Sequence, residues 1–261
     1  MRGWWAEAAG LVLPAVCVAC GRGRSGLCGE CGRRLLVGAR RVWPSPVPAG
    51  LPTVYAAAAY EGAVRAVLLA HKERGALPLA GPLGAALAGA VEAAAGPCEG
   101  LGGPPLLLVP VPSSRRSVRA RGHDPARRIA RHAAALLRRS GRAARVLPVL
   151  RQGRAVADQA GLGARARLAN LAGALELAPG GARLLSEAAG RVVLVDDLMT
   201  TGASLAEAAR ALSAARSGVH PPFIPGLPDS PKGRVAEALF EQSTAAVVAS
   251  SPGSFEINRN S

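Results

Sequence analysis

Arg191-Val-Val-Leu-Val-Asp196-Asp197-Leu198-Met199-Thr200-Thr201-Gly202-Ala203-Ser204 passes from an unbroken apolar run to two acids and then to small hydroxylated residues. The run from Arg191 to Val195 reads as a strand covered on both faces, a property of parallel sheets. The hydroxyl-rich stretch opens a helix predicted over Leu205 to Arg216, so the segment is a strand-to-helix turn of an α/β domain. Such a turn suits a sugar phosphate. A helix N-terminus presents unpaired N–H groups and the positive end of its dipole, and Thr200, Thr201 and Ser204 add hydroxyls around a phosphate. Gly202 lets the backbone come close to a ligand. At the carboxyl end of the strand, Asp196 and Asp197 can accept hydrogen bonds from the 2- and 3-hydroxyls of a ribose, in the crevice where open α/β sheets bind ligands. The plain alternative is a helix cap beside an incidental acidic pair. No G-x-x-x-x-G-K-[ST] occurs, which excludes a Walker-type loop.

Working outward, helical and strand patterns alternate, so the expected fold class is α/β, an open, mostly parallel sheet flanked by helices. Glu61 to Leu69 and Pro82 to Ala95 carry helical spacing, and Leu106 to Val111 reads as a second buried strand. The next helix has clear punctuation, with Asp124 as cap, Pro125 at the first position, Ile129, Ala133, Leu136 and Leu137 on one face, and Gly141 as its end. Val146 to Leu150 is a short strand placed at an edge by Pro148, and Ala164 to Leu175 reads as helix. The proline-rich stretch 40–52 reads as an extended linker. After Arg216 serine becomes common, arginine nearly vanishes and all three phenylalanines (Phe223, Phe240, Phe255) occur. Three regions follow: 1–45 as a cysteine module and linker, 46–220 as the main domain, and 221–261 as an atypical tail in which Thr244 to Ala249 offers a last strand.

The chain has 261 residues and is 49% hydrophobic, enough for one substantial core and one small module. Charged residues or proline interrupt every long apolar stretch, which argues against a membrane span and for a soluble protein. The stretch from Trp4 to Val18 superficially suggests a secretory signal. Glu7 interrupts it and no A-x-A-like site follows, so it is read as a mature N-terminus. Formal net charge is +15, and only two of the 32 basic residues, Lys72 and Lys232, are lysines. Between Ser113 and Arg145 there are eleven arginines against one acid, Asp124, a stretch that attracts phosphates on a small ligand or a polymer. From Glu61 to Pro222 there is no Phe, Trp or Tyr, so this basic region lacks the stacking partners usual in single-strand binding.

Cys17-x2-Cys20 and Cys28-x2-Cys31 form two knuckles, four thiolates in a pattern suited to a tetrahedral, structural Zn2+ with no open position. Disulfides are the other reading of the same four residues. Cys98, in a Gly-Pro loop, is read as uninvolved.

The 191–204 stretch resembles the phosphoribosyl diphosphate (PRPP) motif of the type I phosphoribosyltransferases. The wider chain resembles the ComF branch of that superfamily, the competence protein ComF-like proteins. The features that carry this are the cysteine pairs, Tyr60 with His71-Lys72-Glu73-Arg74-Gly75, Val109-Pro110-Val111-Pro112, Arg121-Gly122-His123-Asp124, and Asp158-Gln159-Ala160-Gly161-Leu162 followed by Arg167 and Asn170. Together they span residues 17 to about 215.

The resemblance implies a type I phosphoribosyltransferase-like sheet. Asp196 and Asp197 would be the catalytic carboxylates on the ribose, and Thr200, Thr201, Gly202, Ala203 and Ser204 the 5-phosphate loop. A loop from Ser113 and Ser114 would face the diphosphate, with Arg115, Arg116, Arg119 and Arg121 as charge partners. Mg2+ would accompany PRPP, Zn2+ would be structural, and the setting would be DNA uptake in competence. Two functions stand side by side: a phosphoribosyl transfer to an unnamed acceptor, and a non-catalytic protein binding single-stranded DNA on the same scaffold.

Overall fold

The two apolar runs read as buried strands are neighbours in one sheet, and that pairing sets the layout of the molecule. The computed structural model describes residues 16–23, 25–97, 103–154, 156, 163–217 and 244–256. In chain order the elements are α1 (Gly29–Arg33), β1 (Arg40–Val42), β2 (Thr53–Ala59), α2 (Gly62–Glu73) and α3 (Ala80–Ala95). Next come β3 (Leu106–Pro110), α4 (Arg115–Arg121), α5 (Pro125–Arg139), β4 (Ala144–Val146), β5 (Leu150–Gln152) and α6 (Ala164–Leu171). The last are β6 (Leu175–Leu177), α7 (Gly181–Glu187), β7 (Arg191–Met199), α8 (Ala203–Ser217), β8 (Thr244–Ser250) and α9 (Pro252–Glu256).

Six strands form the main sheet in the order β1-β2-β8-β7-β3-β4, and β5 pairs with β6 in a separate antiparallel ribbon. Every pair in the main sheet is parallel except β1 with β2. Side chains alternate between two cores, as a pleated sheet covered on both faces requires. Leu106, Leu108, Val193 and Val195 pack on one side with Leu83 and Leu87 of α3 and Ile129 and Leu137 of α5. Leu107, Val109, Val192 and Leu194 pack on the other with Leu205, Ala208 and Leu212 of α8. Helix α3 lies so close to α5 that a Cβ on Gly84 would sit 2.4 Å from His132 Cβ and 3.0 Å from Ala133 N, so glycine is the residue this crossing admits.

Strand β3 leads through α5 to β4 on one side, and β7 leads through α8 to β8 on the other. The carboxyl ends of β3 and β7 are therefore the point where the order of connection reverses, the place where open α/β sheets form a ligand crevice.

Several sequence readings change here. The stretch 40–52 is more than a linker: β1 closes one edge of the sheet, and Pro44 and Leu51 pack against Gly202. The last strand read at Thr244 to Ala249 is present as β8, and it lies between β2 and β7 with Ala245, Ala246, Val247, Val248 and Ala249 fully buried. Phe255 of α9 is buried and stacks under the Arg40 guanidinium at 4.4 Å, tying the last described element to the first strand. Leu35, ahead of the 45/46 division, is fully buried in the core shared by α3 and α5, and the 220/221 division lies outside the described residues.

The helix read as 164–175 stops at Leu171. Gly173, at φ +68, turns the chain into β6. The residues Leu147 to Val149 separate β4 at the sheet edge from β5 in the ribbon. Helix α5 begins and ends as its punctuation predicts, with Asp124 Oδ1 accepting from Arg127 N at 3.1 Å. The helical stretch Leu77–Ala95 is long and apolar enough, by length and composition, to cross a membrane, which counting uninterrupted runs did not reveal. Its Leu83, Leu87 and Val91 are spent in the protein core. The N-terminal residues 1–15, Cys98, Asp158 to Leu162, Phe223 and Phe240 lie outside the described residues.

Candidate functional site

The apolar run of β7 carries the chain out of the core, and its last four residues deliver the acids. Asp196 is half-buried and Asp197 is 5% exposed. The two are not equivalent. Asp196 Oδ1 accepts the backbone N–H of Asp197 at 2.8 Å, and Asp197 receives Lys72 Nζ at 3.0 Å. Burial, and then the charge of Asp197, push the Asp196 carboxyl well above the ordinary range, against the pull of Lys72. The Asp197 charge in turn raises the Lys72 ammonium, outweighing its burial. Lys72 belongs to the His71–Gly75 motif, and the sequence alone does not place it at the acids. The signal was present, because an acidic pair emerging from a buried strand needs a cation and the segment 192–204 contains none.

Beyond the acids the chain turns over Gly202, at φ +74, where Leu51 and Pro44 leave no room for a side chain. Asp196, Thr200, Thr201, Gly202, Ala203 and Ser204 line one small cup at the opening of α8. Thr201 Oγ1 lies 3.5 Å from Ala203 N, and Thr200 Oγ1 accepts from Arg167 Nη1 at 3.0 Å. The acid pair and the hydroxyl loop predicted from sequence are thus brought together at one strand end. Chemically this is a cup lined by the Asp196 carboxyl and by the hydroxylated loop Thr200 to Ser204, with Asp197 buried behind it against Lys72.

The loop after β3 stands beside it, held by Val111 N donating to Val195 O at 2.9 Å. Ser114 caps α4 by accepting from Ser117 N at 3.0 Å, and Ser113 N donates to Asp124 Oδ2 at 3.3 Å. Asp124 therefore holds this loop with one oxygen while capping α5 with the other. Of the four arginines, Arg116 and Arg119 are exposed, and Arg121 is paired with Glu73 of α2 at 3.3 Å. The side chain of Arg115 lies outside the described residues.

His71 and His123 meet between these elements, with ring centroids 5.4 Å apart. Burial lowers the His71 imidazole below its ordinary value, and the neighbouring His123 and Arg128 add to that, opposed by its contact to Ala76 O and by Asp197. Arg128 and Asp197, with Lys72 and Arg121 close by, make this a crowded, largely cationic junction.

The four cysteines form a second centre. All four sulfurs lie within 4.8 Å of one another, with Cys20 Sγ and Cys28 Sγ at 3.7 Å. That matches the roughly 3.8 Å edge of a tetrahedron with Zn–S bonds of about 2.3 Å. None of the four is in a disulfide. Gly21, at φ +70, donates its N–H to Cys17 O at 2.8 Å and closes the turn that carries Cys17 and Cys20. Burial opposes ionisation of Cys17, yet backbone N–H groups at Cys28, Cys20 and Ala19 bring its thiol down to about 6. Burial, then the neighbouring thiols, push Cys31 up to about 12. This is a four-sulfur set that could hold a metal ion such as zinc, since a dication relieves the repulsion among gathered thiolates.

No family model matches the chain, and comparison with curated proteins finds no match.

Proposed function

We propose that this chain is a ComF-like protein of the type I phosphoribosyltransferase superfamily that binds PRPP, or another ribose 5-phosphate compound, together with Mg2+. One observation carries the reading: the acid pair and the hydroxyl-lined opening of α8 share the carboxyl end of β7, at the reversal point of a parallel sheet. Asp196 and Asp197 accept the ribose hydroxyls, the amides and hydroxyls of 200–204 hold the 5-phosphate, and the loop from Ser113 with Arg116, Arg119 and Arg121 faces the diphosphate.

In the transfer, the bond between the anomeric carbon and a diphosphate oxygen breaks, the diphosphate leaves with the electron pair, and an acceptor nucleophile bonds to that carbon. The developing positive charge on the sugar is stabilised by the carboxylate wall, and positioning supplies the rest. Asp196 and Asp197 offer the hard oxygen donors that would hold a Mg2+ ion, which would supply charge neutralisation to the diphosphate. Cys17, Cys20, Cys28 and Cys31 would hold a Zn2+ ion, whose role would be structural because four protein sulfurs would leave no position for a substrate. Reduced thiols suit a cytoplasmic protein.

Calorimetry of the full chain with PRPP and Mg2+ tests the site. Asp196→Ala with Asp197→Ala should weaken binding by about 30-fold or more, the loss of several hydrogen bonds to charged groups. Wild-type protein that binds no PRPP, or a double variant that binds undiminished, removes the assignment.

A second reading rests on the arginines. Arg116, Arg119, Arg127, Arg131, Arg138, Arg139 and Arg145 are all exposed on α4, α5 and the strand after them. On this reading the protein binds single-stranded DNA in the competence machinery without catalysis. Affinity for a labelled oligonucleotide should fall with salt, each contributing arginine adding about 0.7 to the logarithmic slope. A slope near zero, or one unchanged after five of these arginines become serine, dismisses it.

A further inference from the structure

We infer that Arg167 is the cation that fixes the phosphate in the cup at the start of α8, and that through it the site selects a dianionic phosphate monoester. This deepens the proposed ribose 5-phosphate reading and rests on it for the sugar, though not for the phosphate.

The cup has a charge problem. Its lining includes the Asp196 carboxyl, the segment 192–204 holds no basic residue, and Lys72 is engaged with Asp197 at the acid end. A dianion seated on the hydroxyl wall needs a cation of its own. Arg167 is placed there by the fold. Leu171 of α6 packs with Ala174 and with Ala203, the first residue of α8, and Leu168 adds to the same small cluster. That seating brings the guanidinium of Arg167 across to the loop, where Nη1 donates to Thr200 Oγ1 at 3.0 Å. Arg154 fixes the far end of α6, donating to Asn170 O at 2.9 Å and Ala172 O at 2.6 Å.

Two details point to an anion rather than to a purely structural contact. Arg167 Nε is enclosed and has no hydrogen-bond partner among the described residues, so a five-donor group rests on one neutral hydroxyl. Because Thr200 Oγ1 accepts from Arg167, its own hydrogen is turned away from the guanidinium and free to donate to an anionic oxygen. Arginine and threonine thus form a polarised relay whose missing member is an acceptor carrying charge. A phosphate dianion meets that requirement better than a neutral hydroxyl or a monoanion.

The test uses the full chain, with inorganic phosphate, ribose 5-phosphate and PRPP as probes, titrated by calorimetry at pH 5.5 and 7.5. Arg167→Met should weaken phosphate and ribose 5-phosphate binding by about 30-fold, and Arg167→Lys, which keeps the charge but loses the fork, by about 5-fold. Wild-type affinity for ribose 5-phosphate should rise with pH as the monoester loses its second proton near pH 6, a rise that ionisation of Asp196 on the same cup opposes in wild type and variant alike. That rise should be flattened in Arg167→Met, an effect that a merely structural role would not produce. Circular dichroism melting of each variant identifies any that is unfolded, and Arg167→Lys then stands in for Arg167→Met. Ribose 5-phosphate binding that survives Arg167→Met with its pH slope intact overturns the role of Arg167 and leaves the ribose phosphate site standing. Arg167-dependent phosphate binding without any PRPP or ribose 5-phosphate binding supports the role and refutes the sugar site. Absence of binding by all three probes overturns both.

Discussion

Ending the chain after Ser243 should abolish folding of the main domain. Strand β8 supplies hydrogen bonds to β2 on one side and β7 on the other, in parallel register from Thr53↔Thr244 and Val193↔Thr244 to Ala59↔Ser250 and Met199↔Ser250. Without it the two halves of the sheet face each other across an open row of unpaired backbone groups, and both cores lose the residues that bridge them. Val248 packs on the α3 face and Val247 on the α8 face, each fully buried. The single substitution Val248→Asp should cost about 4 kcal/mol or more, since a carboxylate there has no partner. The expected result is insoluble or unfolded truncated protein by circular dichroism, and a much lowered melting temperature for Val248→Asp. A truncated chain that melts cooperatively near the full-length temperature would show that β8 is dispensable.

The second large effect is expected at the cysteine cluster. The full chain should purify with one equivalent of zinc, and Cys17→Ser with Cys31→Ser should remove it and lower the melting temperature by about 10 °C. A metal present at a thousand times its dissociation constant stabilises by about 4 kcal/mol, and for a chain of this size each kilocalorie is worth about 2–4 °C. The loss reaches the main domain because the module is not free of it. Leu35 is fully buried in the core of the α3 face, and Val18 and Leu27 pack against the same core. Metal affinity should also fall with acid, since protons compete for thiolates. Metal analysis and thermal melting decide it. Protein without metal and without free thiols would favour the disulfide reading instead.

The residues around Asp124 show how far local patterns reach. Cap, proline and apolar spacing act within one or two helical turns, and they placed α5 closely. The same residue's hold on Ser113 N is a contact between two loops, which no local pattern announces. The proline-rich stretch 40–52 has the composition of a linker. It becomes structural because Val42 pairs with Val54 and because Pro44 and Leu51 cover Gly202.

Within single segments, the amino-acid order settled that Leu106–Val111, Arg191–Val195 and Thr244–Ala249 are strands, where α5 begins, and that acids and hydroxyls meet at the end of β7. Hydrophobic periodicity, capping and turn chemistry are nearest-neighbour effects, and they survive without knowledge of the fold. The partners of those groups came from folding alone: Lys72 on Asp197, Arg167 on Thr200, and a remote C-terminal strand at the centre of the sheet. These pairings join residues far apart in the chain. What selects them is shared burial and charge compensation across the closed core, quantities that exist only after the layers have packed.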